Sequence, residues 1–330
     1  MQHVYVAIAA ALLGWGLTGI VLIAARKSLL LAMPTDRGLH KMPTPVGGGI
    51  GLIGATLAVW AIGQWPLNAL AIVIVAAVAA LAGLSWLDDR QPLPAIVRFA
   101  AQTLIVCTAL WNLPHDVRLI YAMPLGLERA ALAFAWLWMI NLTNFMDGID
   151  GLAGTEAITI GVGYALVTEL APGMKPLGTG LPALALILAG AAAGYLYWNW
   201  DPARIFMGDV GSIPLGFLIG LLMFDLLLRG HWAAACILPA YFIADATTTL
   251  LWRVARGVKP WDPHREHAYQ HAVLAGLTHA QVACHVAVLN ISLIALAVLS
   301  LAEPWLGVAC AAALTAALIA WLRTRSAPAK

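Results

Sequence analysis

Eleven apolar stretches, separated by short polar segments, constrain this chain more than any other feature. They cover residues 4–24, 47–64, 67–87, 95–111, 129–146, 153–170, 182–199, 211–228, 232–252, 284–302 and 304–322. A helix crosses the hydrocarbon core with about 17–25 apolar residues, whereas a barrel strand needs only about 9–11. Lipid offers no hydrogen bonds, so runs of this length satisfy their backbone as helices. The expectation is an all-α polytopic membrane protein of about 11 transmembrane helices, with 1–330 as one domain. Ten crossings also fit, because Arg98 and Gln102 lie in the first turns of the fourth run. Only 10% of the residues are charged, against about 25% in an ordinary soluble domain, so lipid must be the solvent for much of the surface. A net charge of +2 gives no footprint for nucleic acid, and none is expected as a partner.

Placing the N-terminus outside leaves only Arg118, Arg129, Lys175 and Arg229 on the outer side, and the other fourteen of the 18 lysines and arginines inside. That asymmetry predicts an N-out/C-in orientation. Arg26 and Lys27 follow the first apolar run instead of preceding it, which fits an uncleaved span better than a signal peptide. Cys107, Cys236, Cys284 and Cys310 stand singly in apolar runs. No metal or disulfide spacing appears, and buried thiols are expected.

Topology does not require acids to gather with the basic residues, yet they collect on the inner side. Asp88 and Asp89 end the third run, where carboxylates oppose the helix dipole; a cation or a phosphate-handling role would offset that cost. Asn141, Asn144, Asp147 and Asp150 recur at three-residue spacing, which places them on a similar face if the helix continues through them. The two Asp-Gly steps in that stretch offer a tight turn as the simple alternative, but a turn would not need amides at 141 and 144 in step with carboxylates at 147 and 150. Asp209, between Gly208 and Gly211, stands at the start of the eighth run, where an ordinary N-cap is the simple alternative.

His264, His267 and His271 fall at i, i+3 and i+7 around Arg265, the spacing of a basic, phosphate-contacting helix face. Asp262-Pro263 reads as that helix's start and Gly276 as its stop. Thr278 and Gln281 read as a capping box opening the tenth span. His40-Lys41 precede two prolines and Gly47-Gly48-Gly49, a sequence that serves either an anion-cradling nest or close helix packing. Asp245 lies within the ninth run, where a carboxylate must face protein and find a partner.

As an ordered set these motifs resemble one family, the polyprenyl-phosphate N-acetylhexosamine-1-phosphate transferases, which include the UDP-GlcNAc and phospho-MurNAc-pentapeptide enzymes of bacterial envelopes. The matching stretches are PTPVGGG (43–49), DD (88–89), NLTNFMDGIDGLAG (141–154), FMGDVGS (206–212), Pro239 to Asp245, and HREHAYQ (264–270). The resemblance implies a Mg²⁺-dependent enzyme, with Mn²⁺ as a substitute, at the cytoplasmic face of a bacterial inner membrane. Its substrates would be a UDP-N-acetylhexosamine and undecaprenyl phosphate. It implies that Asp88, Asp89, Asp147 and Asp150 are catalytic and that Asp209 and Asp147 hold the metal. Lys41, Gly48, Asn144, Asp245, His264, Arg265 and His267 would bind substrate. A homo-oligomer is compatible with it.

Tyr269 and Gln270 stand where the UDP-GlcNAc type has histidine. This departure points to the O-antigen-initiating branch, with N-acetylfucosamine or N-acetylquinovosamine donors, and away from the peptidoglycan step. The competing class is an ion-coupled transporter. That class places acids near the midplane within internal repeats, whereas here the acids collect at one interface and no repeat is visible.

Overall fold

A computed structural model describes residues 2–28, 31–33, 39–40, 42–64, 67–91, 93–112, 118–171, 180–259, 262 and 264–325. Lys41, Lys175 and Pro263 lie outside them. The described residues form thirteen helices and one two-stranded ribbon. In chain order these are α1 (Gln2–Ser28), β1 (Leu31–Ala32), β2 (Thr44–Pro45), α2 (Gly49–Gly63), α3 (Ala69–Arg90), α4 (Ala95–Trp111) and α5 (Leu125–Met146). They continue with α6 (Leu152–Leu170), α7 (Leu181–Asn199), α8 (Asp209–Leu228), α9 (Trp232–Ile237), α10 (Ala240–Ala255), α11 (Ala268–Leu274), α12 (His279–Leu299) and α13 (Pro304–Thr324). Every expected span coincides with helix, and seven of these helices are long and apolar enough to cross a membrane. The ninth run differs: it is broken into α9 and α10 around Pro239, because proline removes a backbone donor and clashes with the preceding turn.

The core is organised around α8, which is buried over nearly all its length and packs against α2, α3, α5 and α6. Lipid tails are as apolar as leucine, so association in a membrane depends on close approach of backbones. The α1–α7 pair meets that need with small residues. A Cβ on Gly190 would lie 2.1 Å from the Ala7 carbonyl oxygen, and one on Gly194 2.1 Å from that of Ala11. The exterior is apolar too. Cys107, Cys236 and Cys284 are accordingly exposed and Cys310 partly so, contrary to the expectation of burial. Apolar neighbours imply burial only where the surrounding solvent is water.

The connections at one end of the bundle touch one another. The amides of Gly47 and Gly48 donate to the Phe206 carbonyl at 3.1 and 2.9 Å, Gly49 N–H donates to Met207 O at 3.0 Å, and Phe206 N–H to Pro45 O at 2.8 Å. Ala203 N–H donates to Asp150 at 2.9 Å, Ala280 N–H to Asp201 at 3.0 Å, and the Tyr269 hydroxyl to Phe145 O at 2.9 Å. Segments far apart in sequence are thus stitched into one floor, which carries the paired and turn-borne acids. The glycine run at 47–49 commits its amides to this stitching, so it forms no anion cradle and Gly48 has no donor left for a substrate. Close packing is its use: a Cβ on Gly49 would sit 2.2 Å from Gly211 Cα.

Candidate active site

Asp209 is the junction of this floor. Gly208, at φ +74°, turns the chain into α8 and is itself the N-cap; that left-handed backbone suits glycine best. Asp209 therefore occupies the first helical position and does not cap. Its Oδ1 accepts from Asn144 Nδ2 at 2.8 Å, and the same amide reaches Ser212 Oγ at 2.9 Å. Arg98 lies 3.8 Å from Asp209 Oδ2 and binds Asp88 Oδ2 at 2.7 Å. Asp88 Oδ1 accepts from Leu93 N–H at 2.6 Å. Both oxygens of Asp88 are thus committed near the turn between α3 and α4, and the guanidinium offsets the unfavourable helix-end position. Asp89 accepts weakly from the start of α8, at 3.4 Å from Val210 N–H and also from the Asp209 N–H. The sequence gives no hint of this use of Arg98, which enters there only as an inside charge and a cost to the fourth span.

The stretch after α5 corrects another expectation. The helix stops at Met146, with Asp147 as its C-cap, and Gly151 at φ +79° starts α6. Asn141 and Asn144 share the helix, but Asp147 and Asp150 are carried by the turn and leave it. Asp150 accepts from Ala203 N–H and lies 3.2 Å from His279 Nδ1. These two and Asp201 bring three metal-capable side chains together. Asp150 and Asp201 already bond backbone amides, so the cluster acts as a clip between loops.

Asp147 accepts no side-chain hydrogen bond among the described residues. Burial, then the charges of Asp209 and Asp150, push its carboxyl well above the usual range. A carboxylate set against like charges without donors suits a cation. Asp147, Asp209 and the Asn144 amide offer the hard oxygens that Mg²⁺ and Mn²⁺ prefer. They line one cavity of about 370 Å³, together with His40, Gln270 and His279.

The 264–270 loop is not the expected histidine face. Helix α11 begins at Ala268, with His267 as its N-cap, and not near Asp262. His264 and His267 stand ring against ring, centroids 4.9 Å apart, but His267 is buried and His271 exposed, so the three form no single face. Gly276, at φ +105°, does end the turn after this helix, and Thr278 with Gln281 does form the capping box of α12. Burial first, then the Arg323 charge, push His267 down to about 4. Burial and the neighbouring His267 push His264 to about 4 as well. Both are neutral at pH 7, which leaves Arg265 as the cation of this trio. Tyr269 stacks on His267 with rings 7° apart and is fully buried. Of the loop, Gln270 alone lines the cavity.

Protonation of His267 is disfavoured in the fold relative to the unfolded chain. Its contribution to stability is therefore complete above about pH 6.5 and is lost as pH falls toward about 4. The stability advantage of the native protein over His267→Gln should shrink across that window, by up to about 3 kcal/mol. Thermal unfolding of both proteins in detergent from pH 7 to pH 4 checks it; an advantage that stays constant rejects the assignment.

Asp245 is fully buried and does not line the cavity. Its Oδ1 accepts from Ala268 N–H at 2.8 Å and Thr249 Oγ1 at 3.2 Å. Its Oδ2 accepts from Tyr269 N–H at 3.4 Å and the Tyr241 hydroxyl at 3.3 Å. The expected partner exists, and it is the start of α11. Asp245 is thus placed to hold the loop, not to touch substrate.

Similarity to known proteins bears on the same residues. Residues 70–227 match the sequence profile of glycosyl transferase family 4, a range that contains Asp88, Asp89, Asn144, Asp147, Asp150 and Asp209. The chain is 28% identical to a probable undecaprenyl-phosphate N-acetylglucosaminyl 1-phosphate transferase of Bacillus subtilis, over 80% of this chain and 75% of that protein. It is 30% identical to a decaprenyl-phosphate N-acetylglucosaminephosphotransferase of Mycobacterium tuberculosis, over 65% of this chain and 58% of the relative. It is 28% identical to a phospho-N-acetylmuramoyl-pentapeptide-transferase of Synechocystis, over 74% of this chain and 69% of the relative.

Proposed function

We propose, from the match of residues 70–227 to glycosyl transferase family 4, that this chain moves an N-acetylated hexosamine-1-phosphate from a UDP-sugar to undecaprenyl phosphate, releasing UMP. The observation that carries this reading is the contact chain from Asp88 through Arg98 to Asp209 and Asn144, beside the cavity that Asp147 lines. Two anionic substrates must meet, so cations and positioned donors are the chief requirement. Asp209 and Asp147 would hold Mg²⁺, which when bound supplies Lewis-acid stabilisation of the diphosphate oxygens.

The chain's own residues supply the rest. A lipid phosphate oxygen attacks the β-phosphorus, and the bond from that phosphorus to the bridging oxygen breaks as UMP leaves. Asp89, the less committed of the pair, orients the attacking phosphate and takes its proton when one is present. A phosphate monoester is largely dianionic at neutral pH, with a second pKa of about 6, so little base strength is asked of it. Arg98 keeps Asp88 and Asp209 together. Arg265, which does not itself line the cavity, would pair with the donor's diphosphate as the resemblance implies, a task suited to a guanidinium.

The proposed topology is eleven crossings, N-out/C-in, with the acidic floor at the cytoplasmic side of a bacterial inner membrane. The proposed pathway position is the first lipid-linked step of an envelope polysaccharide such as O-antigen. The Tyr269 ring is buried between His267 and the end of α5, so the departure that faces the cavity is Gln270. A transporter reading gains nothing from Asp245, whose oxygens are occupied by the start of α11.

Membranes supplied with undecaprenyl phosphate and a panel of radiolabelled UDP-sugars test the reading. Label should enter lipid with Mg²⁺ and vanish with a chelator; no incorporation from any N-acetylhexosamine donor refutes it. Inversion at phosphorus with a chiral-phosphate donor is expected, and retention would reveal a covalent aspartyl intermediate instead.

A further inference from the structure

Glu156, in the second turn of α6, lies outside the polar cavity. It is fully buried, and its partner Asn290 of α12 is almost so. Asn290 Nδ2 donates to Glu156 Oε2 at 2.6 Å and to Thr159 Oγ1 at 3.0 Å, which spends both amide hydrogens. The Thr159 hydroxyl donates to the carbonyls of Thr155 and Glu156 at 3.1 and 3.0 Å, so it has no hydrogen to spare. One bare oxygen remains on each partner: Glu156 Oε1 and Asn290 Oδ1 are buried without a hydrogen-bond partner. Both are acceptors. From α10 the Tyr241 hydroxyl faces the carboxyl, but its hydrogen goes to Asp245 at 3.3 Å. Among the described residues no lysine, arginine or histidine pairs with Glu156.

We infer that Glu156 is held as the neutral acid, its proton joining Oε1 to Asn290 Oδ1. A carboxylic acid and a carboxamide then close a ring of two hydrogen bonds, of which the 2.6 Å contact is the first. One hydrogen satisfies both bare oxygens, whereas an ionised carboxylate would strand two electron-rich atoms in the interior. An unpaired buried charge is costly enough that a carboxyl in such a place keeps its proton. The ring also has a place in the architecture. It ties α6 to α12, which pack together. Helix α6 starts directly after the turn that carries Asp147 and Asp150, and α12 starts at His279, 3.2 Å from Asp150. Glu156 is therefore a positioning residue for the clip between those two helix starts, a role that rests on the proposed transfer reaction.

Infrared difference spectra of wild type against Glu156→Gln at neutral pH test the proton directly. A protonated-carboxyl carbonyl band present in the wild type and lost in the variant is expected. Its absence from the wild type, the result for a carboxylate served by a water or a cation, overturns the inference. Glutamine sets an NH₂ where the acid has its O–H, so Glu156→Gln should melt within about 2 °C of wild type in detergent. Glu156→Ala and Asn290→Ala each strand the other partner and should melt about 5 °C lower. The double variant should lose less than the two single losses added together. Equal losses in Glu156→Gln and Glu156→Ala, or full additivity, would reject the ring. As a positioning residue, Glu156 replaced by alanine should lower kcat by about tenfold with little change in KM, and Glu156→Gln should restore it. An unchanged kcat in Glu156→Ala rejects the positioning role. If the wild type transfers no sugar phosphate, the transferase reading fails separately, because the spectra and melting curves need no turnover.

Discussion

Asp209→Asn should reduce turnover by about 10³-fold or more while leaving the protein folded in the membrane. The size follows from what is lost: one negative charge and one hard oxygen ligand at the point where developing charge must be neutralised. The fold should survive because the substituted amide is nearly the same size and its oxygen still accepts from Asn144, 2.8 Å away in the native protein. Arg98 keeps its stronger contact, 2.7 Å to Asp88. Asp147→Asn should behave similarly, since its carboxylate also lines the cavity without a donor. Asp150→Asn should differ. Its oxygens serve Ala203 N–H and His279, so the effect should fall mainly on stability. Initial rates across a Mg²⁺ titration, with the melting temperature of each variant, check the ordering. Activity near wild type in Asp209→Asn would remove it as the essential ligand, and equal kcat losses for the Asp150 and Asp209 variants would remove the distinction between clip and centre.

The parts of this molecule that lipid dictates could be read from the sequence, because a bilayer imposes run length directly. Helices α4 and α6 begin within a residue of the runs that announced them, and the break at Pro239 follows from one missing N–H. The paired and turn-borne acids could also be picked out, since carboxylates on the basic side demand a reason. What could not be read was which partners each side chain would find. Arg98 is unfavourable in a span until Asp88 and Asp209 are placed beside it. Asp150 and His279 are 129 residues apart in the chain, and no periodicity joins them. Three-residue spacing put Asp147 and Asp150 on a helix that the Asp-Gly steps in fact terminate. The loop histidines carried the same ambiguity: spacing suggested charge on a face, and burial removed it from His264 and His267.

Asp245→Ala should be the most damaging single change outside the cavity, costing about 3–5 kcal/mol of stability, the usual range when one partner of a buried charged network is removed. The carboxylate serves two backbone amides at the start of α11 and two hydroxyls, and Arg323 stands 3.6 Å away. Alanine strands all of them around a fully buried position. Because those amides belong to Ala268 and Tyr269, the strain falls on the loop that carries Arg265. The KM for the UDP-sugar should therefore rise about tenfold, with a smaller change in kcat, since binding geometry and not the acidic floor is disturbed. Asp245→Asn should lie between, because its amide keeps one acceptor oxygen but turns an NH₂ toward donors. A double-mutant cycle separates positioning from simple destabilisation. If Asp245 acts through the loop, its effect on KM should largely disappear in an Arg265→Ala background, whereas independent effects would add. Full additivity on KM, with the stability loss intact, would leave Asp245 as a structural anchor with no part in substrate binding.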